Sequence, residues 1–305
     1  MNKRLAIGHL ASAGAYVIFG INVVVCRDIA TDGGIAPIVL LTMRALVAGG
    51  VFWLAGLAAP HEKVPPRDLL KLAGAGILGL LLPQLTFLHA IELTTPVDLS
   101  IMSTTTPIFT MFVAAIFLKE PITWKKVLGV GLSFGGIVWL ILQSTTGASG
   151  PSETQPLGIV YCFANYIVFA TYLGTCRNLI ARYSVVTGMK WMFLVAFIVS
   201  LPFTLPHLPH TDFTAVPTKV WWEIAYMIFF STFLAYYLIP VGQKRIRPTL
   251  VSMYGYLQPI IAIAVAIWAG MDRLTLTKVV AALAVFAGVW IVNRSRAAGE
   301  VRGAN

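Results

Sequence analysis

The stretch Pro107-Ile-Phe-Thr-Met-Phe-Val-Ala-Ala returns later in the chain as Pro259-Ile-Ile-Ala-Ile-Ala-Val-Ala, 152 residues on (107 to 259). The residues that follow keep this offset, so that Glu120, Thr123, Lys126, Phe134 and Gly136 recur as Asp272, Thr275, Lys278, Phe286 and Gly288. Nearer the N-terminus, Tyr16, Phe19, Cys26 and Arg27 recur as Tyr166, Phe169, Cys176 and Arg177, at an offset of 150 (16 to 166). A repeat of this length is half a molecule rather than one unit of a solenoid.

The composition is typical of a membrane protein. Of 305 residues, 58% are hydrophobic and 11% are charged, with a mean hydropathy of +0.82. A soluble domain carries about 25% charged residues, so this chain has too much apolar surface to bury within itself. The net charge of +10 is concentrated in the connections between apolar runs and does not indicate a nucleic-acid partner.

Apolar runs long enough to cross a bilayer, roughly 17–25 residues, recur along the chain. They are centred near Val17, Ala48, Leu80, Thr106, Phe134, Ile167, Phe197, Phe230, Gln258 and Ala284. Each half therefore has an odd number of spans, which inverts the second half relative to the first. The sequence predicts an all-α integral membrane protein of ten transmembrane helices in two inverted five-helix repeats, an architecture common among secondary transporters.

The domain boundaries follow from the repeat. We expect a first repeat over residues 1–146, an external linker rich in Ser, Thr, Gly and Pro over 147–156, a second repeat over 157–296, and a cytoplasmic tail over 297–305.

The positive charges predict the orientation. Of the 22 Lys and Arg residues, 17 fall on the N-terminal side of the alternating spans, four fall on the other side, and Arg44 lies within a span. Since cytoplasmic loops carry the excess of Lys and Arg, we expect both termini in the cytoplasm of a bacterial inner membrane. The apolar run after Lys3 and Arg4 is interpreted as a retained first span, because its repeat partner near Phe169 is internal.

No motif in the sequence indicates a cofactor or an enzyme. The three cysteines form no CxxC motif, and Cys26 and Cys176 are expected on opposite faces, so we expect neither a disulfide nor a metal site. His207 and His210 lie in a Pro-rich loop and are too few for a structural zinc site. No HExxH motif and no paired mid-membrane carboxylates appear, so a hydrolase or transferase is not expected.

Two segments carry family motifs. The first runs from Phe87-Leu-His-Ala-Ile-Glu-Leu through Thr106-Pro107 to Phe117-Leu-Lys-Glu-Pro-Ile-Thr. The second is Arg245-Ile-Arg-Pro-Thr-Leu-Val-Ser-Met-Tyr-Gly-Tyr-Leu-Gln-Pro259. In two copies over nearly the whole chain, they resemble the EamA family of the drug/metabolite transporter superfamily, although Met271-Asp272 stands where the family usually has Gly-Glu. The resemblance implies ten helices, a central cavity between the halves, alternating access, and export of amino acids or related metabolites.

Pro107 and Pro259 are predicted near the middle of the fourth and ninth spans. Proline removes a backbone donor and kinks a helix, and broken helices at corresponding positions of two repeats indicate a binding site. The alternative is that the two kinks only shape the bundle.

Polar and aromatic side chains at depth are the candidates for the wall of such a cavity, because a metabolite site needs a few polar groups among apolar ones. The candidates are Asn22, Arg44, Gln84, Ser103, Thr106, Asn165, Tyr236, Ser252, Tyr256 and Gln258. Ser and Thr in this set could instead bond to their own helix. Arg44 could hold a substrate carboxylate, or could make a structural contact with helix carbonyls or an acidic loop residue.

The sequence therefore predicts a metabolite exporter that works by alternating access, with an uptake permease or exchanger as the alternative. Its partners are a small-molecule metabolite and membrane lipid, without nucleic acid. We expect a monomer or weak homodimer, since Gly131-xxx-Gly135 could serve either a dimer interface or packing within the bundle. No carboxylate is expected at mid-membrane, so the sequence reveals no coupling ion.

Overall fold

The computed structural model of the chain describes residues 3–58, 62–103, 105–106, 108–109, 112–113, 116, 124–145, 154–246, 254–271 and 273–293. Within these ranges the chain is helical and contains no β-strand. In chain order the helices are α1 (Lys3–Asp32), α2 (Pro37–Ala58), α3 (Pro66–Leu93), α4 (Pro96–Ser103), α5 (Trp124–Thr145), α6 (Pro156–Thr175), α7 (Arg177–Arg182), α8 (Val185–Thr204), α9 (Thr218–Gln243), α10 (Leu257–Trp268) and α11 (Leu276–Asn293).

Five of these helices are long and apolar enough to cross a membrane, namely α1, α2, α3, α8 and α9, with apolar segments of 20 to 28 residues. A spanning helix needs about 20 residues, so the chain is a multi-pass membrane protein. Shorter apolar segments lie in α5, α6, α10 and α11. These nine segments contain the centres of nine expected spans, and the region around Thr106 is described only in part, so the count of ten stays a prediction.

The helix boundaries follow from local chemistry. Pro66 and Pro156 lie at the first helical positions of α3 and α6, where the missing N–H would have no helical partner. Ser184 caps α8, because its side chain accepts a hydrogen bond from the Thr187 backbone N–H. Gly34 lies between α1 and α2 with φ +60° and Gly270 follows α10 with φ +68°, a backbone conformation that favours glycine.

Two of the long helices contain a π-helical segment, Ile77–Leu81 in α3 and Met227–Leu234 in α9. A π turn accommodates an extra residue, is rare, and occurs frequently at functional sites. The two segments begin 150 residues apart (77 to 227), which is the offset that relates the early parts of the sequence repeat. Both helices therefore widen at corresponding positions.

The most extensive helix contacts join the part of the chain before the predicted linker to the part after it. α2 packs on α8, α5 packs on α11, and the segment Leu82–Leu93 of α3 packs on α6. α1 packs on α10 and on the last part of α9, and α4 packs on α10. Gly20 brings α1 and α10 close together, because a Cβ there would lie 2.8 Å from the Gln258 carbonyl oxygen.

Gly131 and Gly135 do not support close helix packing within the described part of the chain. A Cβ at either position would meet no described atom within 4 Å, although α5 itself packs on α11. The oligomeric state stays a prediction. The predicted linker at 147–156 and the predicted tail at 297–305 lie mostly or wholly outside the described residues, so these boundaries also stay predictions.

Candidate binding cavity

A cavity of about 140 Å³ lies between the two parts of the chain, and residues from both parts form its wall. The first part supplies residues from α1, α2, α3, α4 and the segment after α4, and the second supplies residues from α6, α9, the turn before α10 and the start of α10. The lining residues are Tyr16, Phe19, Asn22, Arg44, Pro83, Gln84, Phe87, Leu99, Ser103, Thr106, Asn165, Tyr166, Phe169, Ser231, Tyr236, Gly255, Tyr256 and Gln258.

Most of the residues that the sequence predicts for a cavity lie on this wall. They are Asn22, Arg44, Gln84, Ser103, Thr106, Asn165, Tyr236, Tyr256 and Gln258. Ser252 and Pro107 lie outside the described residues. The structure brings the predicted residues together, and their contact with a substrate stays a prediction.

Pro259 lies behind the wall, buried in the first turn of α10. A proline in a first turn leaves no helical hydrogen bond unmade, because those N–H groups have no partner within the helix. Gly255 and Tyr256 form a turn just before α10. These two turn residues and Gln258 face the cavity, so an irregular segment of backbone forms part of the wall.

Among the described residues that line the cavity, Arg44 is the charged one. Its residue surface is 2% exposed, and its Nε donates to the Thr232 hydroxyl at 2.8 Å. Thr232 in turn donates to the Met227 carbonyl, five residues earlier, at 2.9 Å, a contact made within the π segment of α9. Arg44 Nη1 is buried and makes no hydrogen bond within the described part of the chain.

Two other buried polar atoms on the wall also lack a partner among the described residues, Asn22 Oδ1 and Ser231 Oγ. Asn22 is 4% exposed and Ser231 is 0% exposed. Native proteins leave few buried polar atoms unpaired. Three such atoms on the wall of one cavity therefore concentrate unused hydrogen-bonding capacity there.

Other predicted residues already bond to protein groups. Ser103 donates to the Ser100 carbonyl at 2.7 Å, and Thr106 donates to the Ser103 carbonyl at 2.7 Å. These contacts match the alternative in which small hydroxyls bond to their own helix. Asn165 donates from Nδ2 to the Pro83 carbonyl and so ties α6 to the segment of α3 that follows the first π turn.

Aromatic rings form much of the remaining wall. The Phe19 ring packs edge-on against Tyr16, with centroids 6.1 Å apart, and against Tyr236, with centroids 5.8 Å apart. Such pairs form an apolar surface with fixed ring orientations.

Several wall residues are not among those that the sequence predicts, including Ser231, Phe87 and Leu99. Ser231 had a usable signal, because Ser231 and Thr232 are the polar pair in the otherwise apolar run Met227–Leu234.

The described residues give no sign of a metal centre or a disulfide. No group of three His, Cys, Asp or Glu side chains within the described ranges could hold a metal ion. Cys26, Cys162 and Cys176 are free thiols, and the first two are buried. His207 and His210 lie on an exposed turn between α8 and α9.

Comparison with known proteins places the chain among transporters. The model of the EamA-like transporter family matches twice, over residues 6–142 and 156–294. "Uncharacterized transporter YyaM" of Bacillus subtilis (strain 168) is 26% identical over 224 residues, 70% of each chain. An "Uncharacterized transporter" of Archaeoglobus fulgidus is 25% identical over 266 residues, 86% of this chain and 90% of the relative.

Two further matches extend the comparison. The "Probable terminal-alkyne amino-acid exporter" of Streptantibioticus cattleyicolor is 25% identical over 232 residues, 75% of this chain and 74% of the relative. A solved crystal structure aligns with a TM-score of 0.62 at 18% identity, over 92% of this chain and 98% of that one. The last match concerns the fold alone.

Proposed function

Because this chain belongs to the EamA-like transporter family, we propose that it is a secondary transporter that exports a small metabolite by alternating access through the cavity between its halves. The observation that carries the proposal is the cavity itself, whose wall is formed by residues from both halves. The relatives are named as transporters and not as enzymes.

Three features support the proposed architecture of ten helices in two inverted repeats. The family model matches the chain twice, the two π segments begin 150 residues apart, and the main helix contacts join the halves in pairs. The distribution of Lys and Arg supports cytoplasmic termini in a bacterial inner membrane.

Polar contacts between the halves lie at the two ends of the helix bundle. Near the end of α1, Lys219 of the second half pairs with Asp28 of the first. At the start of α3, Tyr183 of the second half donates to Asp68 of the first at 2.6 Å. Alternating access requires the halves to separate at one end while they close at the other, and these contacts are suited to form and break in turn.

The cavity volume sets the size of the cargo. One water needs about 10–15 Å³ of such volume, so a cavity of about 140 Å³ accommodates roughly nine to fourteen non-hydrogen atoms. This is the size of an amino acid or a closely related compound. The relative named as a probable amino-acid exporter supports the same class of cargo.

The test uses purified protein in proteoliposomes and a set of labelled amino acids and related metabolites. We expect concentration-driven movement of at least one compound. Gln258→Ala and Asn165→Ala should each lower the rate by about tenfold, the effect of losing one hydrogen bond. Gln243→Ala is the matched control, because Gln243 ends α9 away from the cavity wall. Full transport by both cavity variants would contradict the site, and movement of no compound would contradict the function.

Direction is tested separately. An uptake permease or exchanger would use the same cavity, so vesicles of both orientations are compared. Export predicts accumulation of label in inside-out vesicles, where the cytoplasmic face meets the labelled compound. Accumulation only in right-side-out vesicles would indicate uptake, and a requirement for unlabelled cargo on the opposite side would indicate exchange.

A further inference from the structure

We infer that Arg44 and Ser231 form a receptor for a carboxylate group, and that the cargo is a small carboxylate with an apolar or aromatic body. The inference rests on the proposed function and deepens it, because it assigns the chemical class that the cavity selects. It starts from Arg44 Nη1 and Ser231 Oγ, two buried donors that no described protein group uses.

The charge of Arg44 lacks a counter-ion in the described part of the chain. No described carboxylate lies within 4 Å of the guanidinium, although other Lys and Arg side chains form ion pairs with Asp28 and Asp68. The guanidinium stays protonated in proteins, and a buried cation is stable only beside an anion or strong acceptors. An anionic group of the cargo would supply that anion.

The way Arg44 is held leaves its Nη1 donor for a ligand. Thr232 binds only the Nε atom, at 2.8 Å, and so fixes the position of the guanidinium plane. Nη1 remains without a partner. A guanidinium presents its donors as a planar fork that matches the two oxygens of a carboxylate, so the contact with Thr232 orients the fork and does not occupy it.

The second π segment carries the two hydroxyl groups of this carboxylate receptor. Ser231 and Thr232 are consecutive, and both lie within Met227–Leu234. Thr232 holds Arg44 and Ser231 faces the cavity. A hydroxyl can donate to a carboxylate oxygen, so Ser231 adds a second donor from a different helix.

The rest of the wall selects against a cationic cargo. The described lining contains no Asp or Glu, so an ammonium group would find no counter-ion. Asn22 Oδ1 is an unused neutral acceptor on the same wall and suits an N–H group whether or not it is charged. Rings such as Phe19 and Tyr236 surround the apolar body.

The first experiment measures binding to the wild-type protein in nanodiscs. The probes are phenylalanine, 3-phenylpropionic acid, phenylalanine methyl ester and phenethylamine. We expect the two carboxylates to bind, and the ester and the amine to bind about 10- to 100-fold more weakly, the range for losing hydrogen bonds to a charged group. Equal binding of phenylalanine and its methyl ester would overturn the inference.

The second experiment tests the receptor residues. Ser231→Ala should weaken binding of the two carboxylates and leave the ester and the amine unchanged, which lowers the ratio between acid and ester. Ser200→Ala is the matched control, because Ser200 is equally buried but lies outside the cavity. Arg44→Gln should remove the difference in affinity between the acid and the ester. If Arg44→Gln does not fold, the wild-type probe series and Ser231→Ala test the inference. An unchanged ratio of acid to ester affinity in Ser231→Ala would contradict the role of Ser231.

The outcomes separate this inference from the proposed function. Acid-selective binding without movement of any compound across proteoliposomes would contradict transport and leave the carboxylate receptor standing. Transport that treats acid, ester and amine alike would support the transporter and overturn the receptor.

Discussion

At the scale of single residues, glycines determine how closely the cavity helices approach. A Cβ on Gly20 would lie 2.7 Å from Ile261 Cβ and 2.8 Å from the Gln258 carbonyl oxygen. A Cβ on Gly79 would lie 2.5 Å from the ring of Tyr172. Gly20 therefore determines the distance between α1 and Gln258, and Gly79 determines the distance between α3 and α6.

The first prediction compares two glycines of α1. Gly20→Ala should lower thermal stability, because overpacking of this kind costs about 1–3 kcal/mol. Gly14→Ala should leave stability unchanged or raise it, because its Cβ would meet only Leu238 at 3.7 Å. Both changes have the same effect on helix propensity. The melting temperatures in detergent are compared, and equal values for the two variants would contradict the close approach at Gly20.

Residue type and depth could be read from the sequence, but the direction of a side chain around its helix could not. Asn22, Arg44 and Gln258 stand out as polar residues in apolar spans, and all three line the cavity. The facing side of Ser231 could not be read from the sequence, because a π turn shifts residues around the helix axis and α-helical periodicity no longer applies. The hydrogen bond from Arg44 to Thr232 could not be predicted from the sequence either, since it joins distant parts of the chain.

At the scale of elements, the start of α8 is held by a contact from the other half. The Glu62 carboxylate accepts the Ser184 backbone N–H with both oxygens, at 3.1 and 2.9 Å. Ser184 in turn accepts the Thr187 N–H at 3.1 Å. Partial burial acts to raise the pKa of Glu62, but the hydrogen bonds from Ser184 and Thr187 and the charge of Lys244 outweigh it and hold the pKa below its usual value.

The second prediction follows from the sign of this shift. A carboxyl whose pKa is lower in the folded protein stabilises it above the unfolded pKa, about 4.3 for Glu, and this contribution is lost as the pH falls through the folded pKa. We therefore expect the wild-type protein to lose stability faster than Glu62→Gln as the pH drops below about 4.3. Thermal unfolding in detergent at stepped pH checks this, and parallel curves for the two proteins would contradict it.

At the scale of the whole molecule, the helix contacts are those expected if the halves are related by a two-fold axis. The predicted repeat makes α8 the counterpart of α2 and α11 the counterpart of α5, and these counterparts pack on each other. The repeat also makes α6 the counterpart of α1 and α9 the counterpart of α3. The contact of α1 with α9 therefore corresponds to the contact of α6 with α3. The sequence predicts the apolar spans and the long repeat, whereas it could not predict this pairing, because the pairing depends on contacts between spans far apart in the chain.

The third prediction concerns orientation. The loop before α3 should face the cytoplasm and the loop before α9 should face outward. Single cysteines are introduced as Lys63→Cys or His210→Cys in a Cys176→Ser background, since Cys26 and Cys162 are buried. A membrane-impermeant maleimide should label His210→Cys in intact cells and Lys63→Cys only after permeabilisation. The opposite pattern would reverse the orientation inferred from the charges.

The hydrogen bond between Arg44 and Thr232 has a consequence for biosynthesis, because its partners are 188 residues apart. At about 5–20 residues per second, a ribosome needs about 10–40 s to make Thr232 after Arg44. During that time α2 carries a guanidinium without its hydroxyl partner, a state that costs about 3 kcal/mol in a bilayer. We therefore expect the nascent chain to stay at the insertion machinery until α9 emerges, and a message truncated before α9 to yield a protein that is degraded.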